Sequence, residues 1–422
     1  MRIAHIGPPR ARRGGPAGYL WQLAAAAAAS RHESVHDVTF PVEELPVLQP
    51  RLAPAARVRG TLSRLKRTVV GAPVQYRPST DDMRQEGGVV DRLVRDAIAS
   101  TQAAAAASVC AAMDADVLFT HEAAVAEHML STRRAGQHVW LLLHSPMPLG
   151  LYLAWNWGVP EWAWEDVAAL PDTRRWAEWE AGICRAVDRV IIPCAEAVDE
   201  LVKADAAFLR MPHVDFVLTG ASAPTPAGER RPRAELRRRW NFPDDTPVGL
   251  YLGTRQPYRG FDVLMDAVHA LPSSVRGLVA VAGPSPDVVP SHDRVRALGM
   301  VREVGDLLQA VDFVINVNRF SLFDLSVIEA AEAGRPLLLH RIGGNRWFES
   351  HGLGCVAIPD MAQTTVMAGL SDLFSMPDAE RRALGDASRR LYDESLTPGH
   401  MWRAHCALYD RAAQQMRTVS AR

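Results

Sequence analysis

Residues 316–334, NVNRFSLFDLSVIEAAEAG, decide the fold of this chain. They follow an apolar run at 311–315 of the kind that forms a buried parallel strand, and the part at 324–334 has the apolar spacing of a helix. A helix that begins behind such a strand offers free backbone N–H groups and the positive end of its dipole, which stabilise an anion by about 0.3 to 1 kcal/mol. The pattern favours a phosphate-binding turn, and an ordinary turn capped by Asp324 or Ser326 is the alternative.

The length of the chain predicts two domains. Its 422 residues, of which 48% are hydrophobic, exceed the roughly 250 to 300 residues at which single cores stop growing. The Pro-rich and Gly-rich stretch at 220–247 is the best candidate for a linker. We predict an N-terminal domain over 1–222, a hinge over 223–247, a C-terminal domain over 248–396, and a last helix over 397–422 that could pack back on the first domain.

Strand and helix patterns alternate through both halves of the chain. This alternation implies an α/β protein with two Rossmann-like, doubly wound domains, each with a parallel sheet covered by helices. The predicted strands are 2–6, 116–120, 139–144, 187–193, 248–252, 277–282, 300–304, 311–315, 337–340 and 354–358. The predicted helices are 17–30, 127–135, 195–203, 260–270, 306–310, 324–334, 367–391 and 400–417.

Charge and cysteine content exclude several classes of protein. The net charge of -1 argues against a general nucleic-acid binder. One basic run, at 51–77, contains no acidic residue, so we predict a solvated surface there, with contact to a membrane surface as the alternative. The five cysteines are odd in number and form no C-x-x-C pair, which favours a reducing cytoplasm over a disulfide framework or a zinc site.

No segment of the sequence has the pattern of a leader or a membrane span. The first residues, MRIAHIGPP, are typical of a short buried strand and lack the apolar region of a signal peptide. No apolar stretch approaches the roughly 20 residues that cross a bilayer. We therefore expect a cytoplasmic protein without a transmembrane segment.

Four segments of the second half carry a resemblance to a known family. They are YLGTR at 251–255, YRGFDVL at 258–264, GMV at 299–301 and FDLSVIEAAEAG at 323–334. Together they resemble the retaining glycosyltransferases of the GT-B fold, most closely family 4, also called group 1. The resemblance implies a nucleoside diphosphate sugar donor in the C-terminal domain, an acceptor across an interdomain cleft, and transfer with retention of anomeric configuration.

Two arginines follow the strand predicted at 248–252. Arg255 and Arg259 lie in one short turn, so both planar guanidinium groups can converge on a diphosphate. A fixed cation beside the departing phosphate lowers the barrier by about 3 kcal/mol, because negative charge builds there. We predict that both arginines are catalytic and that Gly253 and Thr254 contact the donor, with surface arginines as the alternative. Arg259 stands where the family usually has Lys.

The helix predicted at 324–334 carries the acids that the resemblance implies. Glu329 matches the second acid of the family's E-x7-E pattern, which accepts hydrogen bonds from the ribose hydroxyls. Ser321 stands at the position of the first acid, which in the family lies near the donor sugar, so the chain departs from the pattern there. We predict that Asp324 supplies a catalytic carboxylate from a shifted position. The other predicted donor-binding residues are Met300, Val301, Phe323, Leu325 and Ser326.

The first half of the chain has weaker signals. A Gly-rich segment after the first strand lets the backbone approach a ligand closely, and it lacks the G-x-G-x-x-G spacing of a dinucleotide dehydrogenase. The cleft-loop residues predicted there are Gly14, Gly15 and Gly18. His144 ends the strand predicted at 139–144, and the resemblance implies a catalytic histidine that faces the cleft. A structural histidine is the alternative.

Asp114 and Asp116 imitate the D-x-D metal motif of the other glycosyltransferase fold. They directly precede an apolar strand, so we interpret them as a decoy. Enzymes of the GT-B fold generally stabilise the leaving phosphate with helix dipoles and basic side chains. We therefore expect neither a metal nor another cofactor.

The sequence thus predicts a retaining, hexosyltransferase-type enzyme that binds a nucleotide sugar and a small-molecule acceptor. The acceptor is a small specialised metabolite or a lipid or polysaccharide. An inactive or weakly active nucleotide-sugar-binding partner subunit and a sugar-nucleotide epimerase are the alternatives, the first because Ser321 replaces an acid. No nucleic-acid partner is expected.

Overall fold

The computed structural model describes residues 1–7, 15–30, 35–41, 80–158, 162–222, 231–284 and 289–420. Gly14 of the predicted cleft loop and the basic run at 51–77 lie outside the described residues. The contacts of the chain divide it into two compact units. Unit 1 comprises Met1–Ile192, Leu201–Phe216 and His405–Arg422, and unit 2 comprises Pro193–Glu200 and Val217–Ala404. The domain boundaries predicted from the sequence stay predictions.

Unit 1 is built on a parallel sheet, six-stranded within the described residues, in the order β2-β1-β3-β4-β5-β6. Its strands are β1 (Arg2–Ile6), β2 (Asp37–Thr39), β3 (Val117–Thr120), β4 (His138–Leu142), β5 (Arg189–Ile192) and β6 (Val214–Phe216). The helices of this half are α1 (Gly15–Ala29), α2 (Thr80–Arg84), α3 (Val89–Ala111), α4 (Ala123–Thr132), α5 (Leu149–Leu153), α6 (Trp164–Ala168), α7 (Pro171–Ala186) and α8 (Ala195–Ala204).

Unit 2 has a second parallel sheet, again six-stranded in the described part of the chain, in the order β12-β11-β10-β7-β8-β9. Its strands are β7 (Val248–Leu252), β8 (Leu278–Ala282), β9 (Val295–Gly299), β10 (Phe313–Asn316), β11 (Leu337–His340) and β12 (Cys355–Ile358). Its helices are α9 (Arg233–Arg239), α10 (Phe261–Ala270), α11 (Val304–Ala310), α12 (Leu325–Glu332), α13 (Gly344–Ser350), α14 (Gln363–Ser375) and α15 (Asp378–Leu391), and α16 (Pro398–Ser420) ends the described chain.

Continuous apolar runs explain why the strands lie in the middle of each unit. Every residue of β3, β8, β10 and β11 is buried, as expected for parallel strands that are covered on both faces. In unit 2, Leu264 and Val268 of α10 lie in the core with Phe313, whose ring contacts Phe374 at 5.1 Å between centroids. Each such side chain stabilises the fold by about 1.5 to 3 kcal/mol.

The strand order reverses once in each sheet. In unit 1 the two strands on either side of the reversal are β1 and β3, and in unit 2 they are β7 and β10. In open α/β sheets, ligands bind outside the carboxyl ends of the strands at such a topological switch point. The two switch points are therefore the candidate ligand sites of the two units.

Two sequence predictions at the edges of elements are wrong. The strand predicted at 300–304 is absent from the described residues, where β9 ends at Gly299 and α11 begins at Val304. The strand β9 is a partly exposed edge strand, so its residues lack the apolar run that marks the central strands. The helix α1 begins at Gly15, so Gly15 and Gly18 lie in its first turn and not in a loop, while their predicted contact with a ligand stays a prediction.

Candidate functional site

The switch point of unit 2 brings together the two segments that the sequence analysis selected. The strands β7 and β10 are paired, with Tyr251 opposite Ile315, so the turns that follow them lie side by side. Gly260 ends a 3-10 turn, Pro257–Arg259, with φ of 65°. A Cβ atom at this position would lie 2.1 Å from the carbonyl oxygen of Val317, so only glycine allows the two turns to approach this closely.

Further bonds tie the same two turns together. The N–H of Arg319 donates to the carbonyl of Tyr258 at 2.7 Å, and its guanidinium makes two bonds to Asp262 at 2.6 and 2.8 Å. The position of the turn after β7 is thus fixed by the turn after β10.

Arg259 points from the first turn to the start of α12. Its Nη1 donates to Asp324 Oδ1 at 3.1 Å, and its guanidinium lies 4.9 Å from the centre of the Tyr258 ring. Burial acts to lower the pKa of Arg259, but the adjacent Tyr258 and Asp324 raise it above its ordinary value, so the side chain stays charged. Its Nε is buried and has no hydrogen-bond acceptor among the residues that the structure describes.

Asp324 occupies the N-cap position of α12, but its side chain makes no capping bond to that helix. The carboxylate instead accepts hydrogen bonds from Asn316 at 3.2 Å, Asn318 at 2.7 Å and Ser321 at 2.7 Å, besides the one from Arg259. Within the described chain, the backbone N–H groups of the first turn of α12 are therefore left without a side-chain cap. This is the state that the phosphate interpretation requires.

A buried amide layer supports that carboxylate. Asn345 donates to Asn316 Oδ1 at 3.1 Å and to the His340 carbonyl at 3.0 Å, and Ser321 is fully buried beside it. The predicted role of Asp324 as the replacement for the first family acid stays a prediction. In the structure this carboxylate holds Arg259.

Arg255 lies in the turn directly after β7. Its guanidinium packs 5.8 Å from the centre of the Phe261 ring, while Thr254 beside it bonds to Gln256 at 2.6 Å. Burial raises the pKa of Tyr251, and the charges of both Arg259 and Arg255 act against that rise. Both guanidinium groups therefore act on the Tyr251 hydroxyl, and Arg259 also bonds to Asp324 at the start of α12.

The remaining predicted donor residues of unit 2 have different surroundings. Met300 is 70% exposed on the turn after β9, whereas Val301 is buried. Phe323 is buried against Phe348, with 4.2 Å between ring centroids, so its side chain belongs to the core. Glu329 lies on α12 and is partly buried, one turn beyond Leu325 and Ser326, which are also partly exposed.

Sequence reasoning missed the amides of the site. Asn316 and Asn318 were quoted but received no role, and Asn345 lies 29 residues further along the chain. Polar residues at the carboxyl end of a buried apolar strand were the available signal. Nothing in the sequence pattern marks Asn345.

His144 lies in unit 1, two residues after the end of β4, and is partly buried. Its Nε2 and the Nδ1 of His121 are 2.8 Å apart. Burial lowers the pKa of His144 to about 3, so the ring is neutral near pH 7.

The described residues contain no group of three or more His, Cys, Asp or Glu side chains that could hold a metal ion. Asp116 accepts a bond from the N–H of Arg2 at 2.7 Å, and Asp114 pairs with Arg134 at 3.7 Å.

Every helix among the described residues is too short or too polar to cross a bilayer.

Comparison with known proteins places the family signal on unit 2. Residues 246–375 match the family described as Glycosyl transferases group 1. A D-inositol 3-phosphate glycosyltransferase of Xylanimonas cellulosilytica is 30% identical over 184 residues, covering 40% of this chain and 44% of the relative. The O-antigen chain mannosyltransferase C of Escherichia coli is 28% identical over 173 residues, covering 38% and 45%. The chain thus spans about half the length of the curated relatives it matches.

Solved structures match almost the whole chain. The sucrose-phosphate synthase of Thermosynechococcus elongatus aligns with a TM-score of 0.65 at 16% identity, covering 99% of this chain and 100% of that one. Anabaena Alr3699/HepE, in complex with UDP and glucose, aligns with a TM-score of 0.61 at 14% identity, covering 97% and 99%.

These likenesses and the two parallel, helix-covered sheets define the class: the GT-B fold predicted from the sequence is confirmed. The resemblance to the group 1 glycosyltransferases is confirmed as well, and residues 246–375 carry it.

Proposed function

We propose that this protein is a retaining glycosyltransferase that moves a sugar from a nucleoside diphosphate sugar to an acceptor with a hydroxyl or another nucleophilic group. The observation that carries the proposal is the meeting of Arg259, Asp324 and the uncapped start of α12 at the switch point of unit 2. A charged donor and a helix N-terminus at one such point form a site for an anion.

The leaving diphosphate is the group that this site would stabilise. When the glycosyl bond breaks, negative charge builds on the β-phosphate oxygens. Arg259 and the first N–H groups of α12 oppose that charge, and one such preorganised donor contributes about 3 kcal/mol. The departing phosphate then assists removal of the acceptor's proton on the same face of an oxocarbenium-like sugar.

Asp324 has a positioning role in this proposal. It uses only one of the five N–H donors of Arg259, so the guanidinium keeps donors for phosphate oxygens. The amides and the hydroxyl that surround the carboxylate fix its orientation and therefore that of Arg259. Glu329, further along α12, is proposed to accept bonds from the ribose, and Met300 and Val301 to contact the base.

The relatives support a nucleotide-sugar donor. Structures of Anabaena Alr3699/HepE are described with UDP, with UDP and glucose, and with UDP-glucose. The curated relatives are named as glycosyltransferases and a mannosyltransferase. The acceptor and the sugar of this chain stay open.

The test is thermal unfolding of the full chain with UDP, GDP, ADP or dTDP, followed by product analysis with the matching sugar nucleotides. One diphosphate at about 100 times its Kd is expected to add about 2.7 kcal/mol of stability. The Arg259→Ala variant should lose that gain, whereas Arg276→Ala, which removes an exposed arginine of unit 2, should keep it. The proposal is wrong if none of the four nucleotides stabilises the protein, or if a donor binds and no acceptor ever receives its sugar.

A further inference from the structure

A continuous chain of hydrogen-bonded rings crosses the switch point of unit 1. It starts at the partly exposed surface, follows the carboxyl ends of β4, β3 and β1, passes through α16 and ends on α1. The rings of this ring chain belong, in order, to His144, His121, His5, Tyr409, His405 and Tyr19. The five donor-to-acceptor distances, in the same order, are 2.8, 3.2, 2.7, 3.2 and 2.7 Å.

Aromatic rings pack against the ring chain. His5 stacks on Phe119 at 4.3 Å between centroids, and Phe119 meets Trp140 at 5.7 Å. None of its histidines forms an ion pair with a carboxylate within the described residues. His36, which pairs with the exposed Asp410, meets the Tyr409 ring edge-on at 6.1 Å between centroids. All four histidines are therefore neutral, and each carries one ring proton.

Neutral rings in a line give the hydrogen bonds a single direction, because each histidine can donate at one nitrogen and accept at the other. Within the described chain the Tyr19 hydroxyl has one hydrogen-bond partner, Nε2 of His405, and we assign its proton to that bond. An unused buried donor would cost about 1 to 3 kcal/mol. The proton of His405 then lies on Nδ1 and points to Tyr409.

The distances agree with this direction. Hydroxyl donors make bonds near 2.7 to 2.8 Å, and N–H donors make longer ones. Both bonds assigned to a tyrosine donor, from Tyr19 to His405 and from Tyr409 to His5, measure 2.7 Å. Of the three bonds assigned to a histidine donor, those from His405 to Tyr409 and from His5 to His121 measure 3.2 Å, and the one from His121 to His144 measures 2.8 Å. Beyond His5 the direction passes unchanged through His121 to Nε2 of His144.

We propose that the ring chain fixes His144 in the tautomer with its proton on Nδ1, and that His144 presents this N–H outward as a permanent hydrogen-bond donor. Nδ1 has no partner in the described residues, and Nε2 is occupied as an acceptor. The group that meets it is an oxygen acceptor of the ligand, such as a sugar hydroxyl or a phosphate oxygen. His144 is then neither a general base nor a cation, and Tyr19 and Tyr409 are positioning residues.

The direct test is nitrogen NMR of the histidine rings in the ligand-free full chain. The wild-type protein should show His144 protonated at Nδ1 and bare at Nε2, without titration between pH 5 and 8. A proton on Nε2 of His144, or a charged ring at pH 7, would overturn the proposal.

The variants Tyr409→Phe and Tyr19→Phe extend the test. Either removes the hydroxyl that sets the direction, so the His144 signals should move to the average of two tautomers. Tyr392→Phe, which removes a buried tyrosine hydroxyl from unit 2, is the matched control and should leave them unchanged. If Tyr409→Phe fails to fold, Tyr19→Phe alone decides, and an unaltered His144 tautomer in it contradicts the inference.

The role of the donor N–H rests on the proposed function. With transfer activity in hand, Tyr19→Phe should raise KM for the bound sugar substrate about fivefold, the equivalent of about one net hydrogen bond. Tyr392→Phe should not. Absence of transfer activity would contradict the proposed function. The NMR measurement would still decide the tautomer of His144 independently.

Discussion

The two switch points of this protein have the same topology and opposite electrostatics. In unit 2 the carboxyl ends of β7 and β10 hold a charged pair, Arg259 and Asp324, in a frame of amides. In unit 1 the ends of β1 and β3 carry neutral imidazoles, and phenols of α1 and α16 complete the hydrogen-bonded chain. The described residues at the edge of unit 2 are thus charged, and those at the edge of unit 1 are neutral and polar.

The difference follows from which residues end the strands. Arginine keeps its charge when buried beside a carboxylate, because the pair compensates part of the lost hydration. Histidine has a pKa near neutrality, so burial without a carboxylate removes its charge altogether. In our proposal, the charged edge binds the donor phosphate and the neutral edge offers a hydrogen bond of fixed direction.

The largest expected effect is a loss of folding stability in acid, which the buried neutral histidines of unit 1 cause. Burial lowers the pKa of His144 and His405 to about 3, whereas both titrate near 6.5 when unfolded. The unfolded chain then binds more protons below pH 6.5, so this stability is complete above that pH and is lost as the pH falls toward 3. We expect a loss of about 2 kcal/mol per histidine between pH 7 and pH 5.

Urea unfolding at pH 8, 6.5 and 5 measures this loss. The variant His405→Gln removes one of the titrating groups. The free energy of unfolding should then fall less steeply with decreasing pH, by the contribution of one proton. Equal stability at pH 8 and pH 5 would show that the histidines of unit 1 are not held neutral.

Removal of the Arg259 cation tests the charged edge of the sheet in unit 2. Arg259→Ala should lower kcat by about 100-fold, because a donor at the leaving group contributes about 3 kcal/mol to the barrier. Arg276→Ala is the control, since Arg276 pairs with Asp245 in an exposed ion pair of the same unit. Steady-state kinetics and urea unfolding together separate chemistry from folding, and equal turnover in both variants would remove Arg259 from the mechanism.

The close approach of the two turns in unit 2 can be broken at Gly260. Gly260→Ala adds a Cβ 2.1 Å from a backbone oxygen at a positive φ, and we expect it to destabilise unit 2 by about 3 kcal/mol. Gly136→Ala is matched, since Gly136 also has a positive φ, 78°, but open space around it, and it should cost about 1 kcal/mol. Similar unfolding midpoints for the two variants would contradict the steric argument.

The smallest expected effect tests the positioning role of Asp324. Asp324→Asn keeps the size of the side chain and removes its charge, so Arg259 is held less firmly and kcat should fall about tenfold, which corresponds to about 1.4 kcal/mol. KM for the donor should change little. Asp245→Asn, in the exposed pair, is the control. A tenfold rise in KM with unchanged kcat would instead assign Asp324 to ground-state binding.

Much of the fold could be predicted because each central parallel strand is a continuous apolar run in the sequence. The strands β7, β8, β10 and β11 lie within a residue or two of their predicted positions. The edge strand β9 was misplaced because a half-exposed strand has no such run. Of the candidate site, the turn after β7 and the start of α12 were predicted, while the amides that hold Asp324 were not.

The sequence by itself determined the alternation of strands and helices in the two α/β units, the strand-turn-helix behind β10 and the segments that carry the family resemblance, since each of these patterns is local. Only the tertiary structure decided which charges and rings meet. Arg259 and Asp324 are 65 residues apart, and His5 and Tyr409 are 404 apart. A hydrogen bond depends on distances in space at the edge of a folded sheet, and no local pattern of residues records them.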